Sequence, residues 1–181
     1  LVLDAVPEDN KLDIKLDLNA PAGGVIAALA GLSDPLRVQV DGRGSWASWD
    51  GRLNADLAGG AFARVQVLAR DGTFTLRGPT RVARLFEGPT ATLLGPILNL
   101  DVTGKLADRK IDLAGNVNSD AFRLNTAGMV DLSDNSFDAL RLGFVLLKPA
   151  AIAPNLAGSG LRAQLVLDGA FATPAVQYEL N

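Results

Sequence analysis

Asn10-Lys-Leu-Asp-Ile-Lys-Leu-Asp-Leu-Asn19 alternates without a break. Leu12, Ile14, Leu16 and Leu18 fall between Asp13, Lys15, Asp17 and Asn19. Successive side chains of a strand point to opposite faces, so this stretch folds as a strand with one aliphatic and one charged face. The same pattern returns at Leu36-Val38-Val40, Leu98-Leu100-Val102, Ile111-Leu113, Leu140-Leu142-Phe144-Leu146 and Leu161-Ala163-Leu165-Leu167. Strands of this kind, repeated from end to end, share one long apolar surface.

The alternation predicts strands near 1–6, 11–19, 36–43, 51–58, 62–70, 72–78, 97–106, 109–117, 121–132, 137–147, 161–171 and 175–180. Asp71-Gly72 between two alternating runs predicts a tight hairpin turn. Asp50-Gly51, Asp108-Arg109 and Asp134-Asn135 are weaker signals of the same kind. Short connections favour antiparallel pairing of consecutive strands, so the fold class expected is all-β, a long curved antiparallel sheet. Three segments break the pattern and are expected as short helices or apolar loops: Ala22–Leu32, Thr80–Leu94 and Lys148–Leu156. Gly104, Gly115, Gly143 and Gly169 interrupt strands, where glycine marks a bulge or bend. A dozen strands at ~4.8 Å spacing span about 55 Å, too far for an open sheet to stay flat.

The 181 residues suffice for one domain and contain no Cys and no His. That composition excludes thiol nucleophiles, disulfides, Cys/His metal sites and imidazole-dependent triads. A net charge of −3 with no basic run argues against nucleic acid as a partner. Hydrophobic residues make up 48% of the chain but aromatics only 6%, so the apolar surface is aliphatic and suits acyl chains better than flat rings. An ordinary core would have the same composition. No stretch of about 18 apolar residues is present. The chain opens at Leu1, already strand-like, and is expected to be a piece of a longer polypeptide.

Chemistry-bearing motifs are weak. Gly104-Lys105 is followed by Leu106, where a phosphate loop needs Ser or Thr. Gly158-Ser-Gly160 lacks the spacing of a nucleophile elbow. Asp13, Asp17, Asp56, Asp101, Asp112, Asp131 and Asp168 fall on the solvent face of expected strands, as a soluble exterior and not as a converging catalytic pair. An enzyme is therefore not expected, and no cofactor is implied. Trp46 and Trp49 are expected to pack as core or rim residues.

Several segments together carry a family resemblance. They are Asn19-Ala-Pro-Ala-Gly-Gly24, Asp41-Gly-Arg-Gly-Ser-Trp46, Asp71-Gly-Thr-Phe-Thr-Leu-Arg-Gly78, Ala153-Pro-Asn-Leu-Ala-Gly-Ser-Gly-Leu161 and Leu165-Val-Leu-Asp-Gly-Ala-Phe-Ala-Thr-Pro-Ala-Val176. The chain resembles the TamB family of translocation and assembly module subunits, within the AsmA-like superfamily of bridge-like lipid-transport proteins, and its composition is similar to alphaproteobacterial members. The resemblance implies that residues 1–181 are one β-rich fragment of a periplasmic β-taco, an open groove of β-sheet, whose parent is anchored in the inner membrane of a Gram-negative cell. It implies phospholipid as the cargo. It also implies TamA, or outer-membrane barrel proteins awaiting assembly, as partners of parts of the parent chain.

Under that resemblance the inward aliphatic positions form the lipid-binding lining: Ile14 and Leu16, Val38 and Val40, Val65 and Val67, Leu100 and Val102, Leu113 and Val117, Leu142 and Phe144, Leu165 and Leu167. Periodicity alone favours a closed, filled core, since soluble chains rarely expose large apolar patches. The resemblance favours an open groove. Two further readings stay open: a scaffold that holds unfolded barrel strands by edge pairing, and an inert packed β-module. Unpaired edge strands also expose the chain to edge-to-edge self-association.

Overall fold

The computed structural model describes residues 2–6, 11–24, 33–45, 47–153, 155 and 160–180, the first of these segments as backbone only. Twelve strands form a single sheet in which spatial order equals chain order. They are β1 Val2–Val6, β2 Lys11–Ala20, β3 Leu36–Gly44, β4 Ser48–Leu57, β5 Gly60–Arg70 and β6 Thr73–Thr80. The second half continues with β7 Leu98–Ala107, β8 Lys110–Asn118, β9 Phe122–Asp131, β10 Ser136–Leu146, β11 Leu161–Ala170 and β12 Ala175–Leu180. Every neighbouring pair is antiparallel. The first and last strands do not pair with each other, so the sheet stays open.

Turn chemistry explains the meander. Ala58-Gly59, Asp71-Gly72 and Asp108-Arg109 each place two consecutive residues at positive φ, between 46° and 77°. That geometry matches the right-handed twist of the flanking strands. Asp50-Gly51 departs from its expected role, because both residues lie inside β4. The β3–β4 turn comes earlier. There Ser45 N–H donates to Ser48 O at 2.7 Å and Ser48 N–H donates to Ser45 Oγ at 3.0 Å. A serine side chain closing on the backbone replaces the Asp-Gly geometry.

The two ends of the sheet differ. Tight turns close the end that holds residues 45–48, 71–72, 108–109 and 132–135. The other end carries the longer connections together with the tight Ala58-Gly59 turn. Between β6 and β7 lie a 3-10 turn, Val82–Leu85, and a short helix, α1, Gly88–Leu94. A second 3-10 turn, Pro149–Ala151, follows β10. Thr80, expected in a helix or loop, instead closes β6 and donates its hydroxyl to Leu98 O at 3.1 Å. Ser119 Oγ donates to Leu93 O at 2.9 Å and accepts from the Ala121 and Phe122 amides, tying α1 to the β8–β9 turn. The expected helix at Ala22–Leu32 lies largely outside the described residues.

Burial is greater toward the end that carries the longer connections, the capped end. Ala20, Leu57, Ala63, Leu98, Ala121, Phe122, Leu146 and Ala151 are buried there, while Trp49 and Leu140 are buried nearer the tight-turn end. A compact cluster of Ala55, Ala63 and Val65 gathers Leu36, Val38, Leu53, Phe62 and Val67 around it. Most of the remaining apolar face is only half-buried.

Leu146 is among the largest fully buried side chains, whereas Leu142 on the same strand is half-buried. Leu146→Ala should lower unfolding free energy by about 2–5 kcal/mol, the usual cost of a cavity at a closed site. Leu142→Ala should cost less than half of that in parallel urea titrations. Equal losses would mean that the middle of the sheet is packed as tightly as its capped end.

Candidate functional site

The strand registers thread one row of residues across the whole sheet. It runs Leu3, Ile14, Gly42, Gly51, Val67, Leu76 through the first half. It continues Val102, Gly115, Thr126, Leu142, Leu165, Tyr178 through the second. A parallel row joins Leu16, Val40, Leu53 and Val65, and another joins Leu100, Val117, Leu124, Phe144, Ala163 and Leu180. Val38, Leu113 and Leu167 lie two positions along their own strands from members of these rows. All the lining positions inferred from sequence therefore share one face. Val65 is buried and the others are half-buried. Leu53, Leu76 and Leu124 belong to the same lining and were readable from the same alternation.

One irregularity keeps the second half in phase. In β10 the pairing slips by one residue between Asp138 and Arg141, and Ala139 takes φ 47°. A bulge of this kind inserts one residue and restores alternation beyond it. Without it, Phe137 would fall on the polar face beside Arg141. With it, Phe137 stays in the Val130–Ile111 row and its ring meets that of Phe171 at 4.7 Å. At the capped end Phe144 stacks on Phe122 at 5.3 Å.

Trp49 shapes the first half of the face. A Cβ built on Gly42 or on Gly51 would collide with its indole ring, so the ring lies flat over both glycines. Trp49 is 7% exposed, and its Nε1 is buried without a hydrogen-bond partner. A large ring laid over glycines on adjacent strands replaces the missing side chains. The paired inward glycines beside a tryptophan were the signal for this arrangement. Trp46 lies outside the described residues.

The opposite face is a charged ladder. Its central row reads Lys15, Asp41, Arg52, Gln66, Arg77, Asp101, Asn116, Asn125, Gly143, Gln164, Glu179. Arg37 grips Asp17 with two hydrogen bonds at 2.7 and 3.1 Å, and Arg77 grips Asp101 at 3.0 and 3.1 Å. Arg64–Asp56 and Arg70–Asp50 repeat the motif. Solvent screens such exposed pairs, so they fix register more than they stabilise. The depression near Gly42 and Gly51 is lined mainly by charged and polar residues, and that near Asn54 and Gln66 by Arg52, Arg64 and Arg77 together with Val65 and Pro79. No group of three or more His, Cys, Asp or Glu among the described residues could hold a metal ion.

Asp131 departs from the solvent-face expectation. It is buried, salt-bridged to Lys110 at 3.0 Å, and accepts from the Ser133 amide at 2.8 Å and the Asp134 amide at 3.3 Å. The Lys110 ammonium, then the Ser133 amide, hold its carboxyl below the ordinary 3.8.

Two predictions test this architecture. Because the folded-state pKa of Asp131 is depressed, its carboxylate contributes stability that is complete above the unfolded value near 3.8 and is lost as pH falls through the lower folded value. Asp131→Asn should therefore be destabilised relative to the parent at pH 7, with the gap shrinking below pH 4 in thermal melts. A gap independent of pH would assign the effect to shape and not charge. Gly51→Val should displace the Trp49 ring, red-shift its emission and destabilise the fold by about 1–3 kcal/mol. Unchanged fluorescence would show that the ring does not rest there.

No protein-family model, no curated protein and no solved structure matches the chain.

Proposed function

We propose that the chain carries phospholipid acyl chains along its apolar face, as a periplasmic segment of a TamB-like lipid bridge serving outer-membrane biogenesis. The observation that carries this reading is a largely aliphatic face that crosses an open sheet and, apart from residues such as Trp49, Val65 and Leu140, stays half-buried along most of its length. A filled core would bury that face. Acyl chains lie on Ile14, Leu16, Val40, Val67, Leu100, Val102, Leu142 and Phe144, and headgroups stay at the wet rim. Each methylene removed from water contributes roughly 0.8 kcal/mol. A largely aliphatic floor changes that energy little from one step to the next, so a bound tail slides easily over it, with the Trp49 ring over Gly42 and Gly51 as a local step. No reaction step is required. Direction comes from a source and sink of lipid outside the chain.

The half-buried apolar face also admits a second reading, a scaffold that holds an unfolded barrel strand against it. The two readings separate in native mass spectrometry of protein purified without detergent. The lipid bridge predicts phospholipid retained in near-stoichiometric amount. It also predicts that Leu100→Arg and Leu142→Arg, both folded, lose that lipid. Full retention by both variants would contradict a continuous trough, and a lipid-free parent that binds barrel peptides would replace it with the scaffold.

A further inference from the structure

The depression near Asn54 and Gln66 gathers positive charge on an acidic chain. It encloses about 320 Å³ between β4, β5 and β6, with Arg52, Arg64 and Arg77 around it beside the two amides. No carboxylate lines it, although the net charge of the chain is −3. Arg52, Gln66 and Arg77 stand directly opposite one another on the three strands. Two strand spacings, about 10 Å, separate the Cα atoms of the two arginines, so both guanidinium groups can reach one small anion above Gln66.

Two of the three arginines are fixed in place. Arg77 commits Nε and Nη2 to Asp101. Arg64 commits Nη1 to the Ala55 and Ala63 carbonyls and Nη2 to Asp56. Neither carboxylate lines the depression. Arg52 makes no hydrogen bond or ion pair with the described residues, although Asp41 lies opposite it on β3. Asp41 and Asp50 border the adjoining depression instead.

The sheet is also interrupted at this place. Ala63 pairs with Thr80 and Gln66 with Arg77, but no pairing joins Arg64 and Val65 to Gly78 and Pro79. Pro79 has no amide hydrogen to give the ladder. Gly78 takes φ 152°, and a Cβ there would stand 2.1 Å from Arg64 O. A glycine inside a strand often marks a close backbone approach or a ligand site. Val65, a residue of the apolar face, reaches the lining here.

We propose that this depression binds a phosphate monoester. Arg52, with its whole fork uncommitted, takes the phosphate through two parallel N–H bonds. Arg64 and Arg77 form a fixed positive frame around it. Asn54 and Gln66 hydrogen-bond the hydroxyl groups of the esterified alcohol. The volume is at the lower end of small-molecule sites and leaves room for that alcohol. The same phosphate chemistry is offered by a soluble polyol phosphate and by a lipid headgroup. The site lies on the charged face, so it stands or falls independently of what the apolar face holds.

Isothermal titration calorimetry with glycerol 3-phosphate at low ionic strength should show saturable binding at one site per chain. Arg52→Gln should weaken it at least about tenfold, through loss of a charge-assisted bidentate contact. Arg52 has no partner to lose, so this variant should melt with the parent. Arg123→Gln removes the same charge from an exposed position of β9. It should leave binding within about twofold, since it lies more than a Debye length away at physiological salt. Co-sedimentation with vesicles of phosphatidylcholine containing phosphatidic acid, against phosphatidylcholine alone, separates the sources. Arg52-dependent sedimentation assigns the phosphate to a lipid headgroup, and binding of glycerol 3-phosphate alone assigns it to a soluble ester; both support the site. No saturable binding of either probe overturns the proposal. So does equal weakening by Arg52→Gln and Arg123→Gln, which would reflect general charge. Preference for polyglutamate over both probes also overturns it and would assign the arginines to an acidic polypeptide.

Discussion

The antiparallel hydrogen-bond ladder governs everything else in this molecule. Each ladder locks the parity of one strand to the next, and a slip by one residue would turn every side chain of a strand to the wrong face. Here parity holds from Ile14 on β2 to Tyr178 on β12, through successive registers and across the bulge at Ala139. Because the strands follow one another in space as in sequence, each needs only its predecessor to find its place. Contacts are local, and the apolar face is assembled one hairpin at a time.

The charged face supports that order. Arg77 stands directly opposite Asp101, and Lys110 directly opposite Asp131, so a correct register pairs opposite charges and a slipped one does not. The cross-strand Arg–Asp pairs are too exposed to hold the sheet together by themselves. Burial is greatest at the end that carries the longer connections, where Leu57, Phe122 and Leu146 are buried. The result is a trough with one closed end and a half-exposed floor.

The strands, their order and the shared face were readable in the sequence because period-2 alternation is local and unambiguous at Lys11–Ala20 and its repeats. The lining followed from the same periodicity. What escaped reading depends on contacts between distant residues. Asp50-Gly51 resembles a turn, yet Gly51 serves in mid-strand as a seat for the Trp49 ring. Asp131 resembles one more surface carboxylate, yet it caps the turn at Ser133 and Asp134. The Ala139 bulge hides behind a run, Phe137 to Leu146, whose alternation slips by one residue. Whether an alternating face is filled or open is not a local property at all. It depends on what the other strands and connections cover.

The central claim is that acyl chains occupy one face of the sheet and not the other. The most direct measurement is photo-crosslinking with phospholipid carrying a diazirine at the acyl terminus, with adducts located by peptide mass spectrometry. The account predicts adducts on Leu100, Val102, Leu113, Leu142 and Phe144, with the intervening Asp101, Asp112, Arg141 and Gly143 unlabelled. Adducts spread over both faces, or confined to the β12 edge, would contradict it.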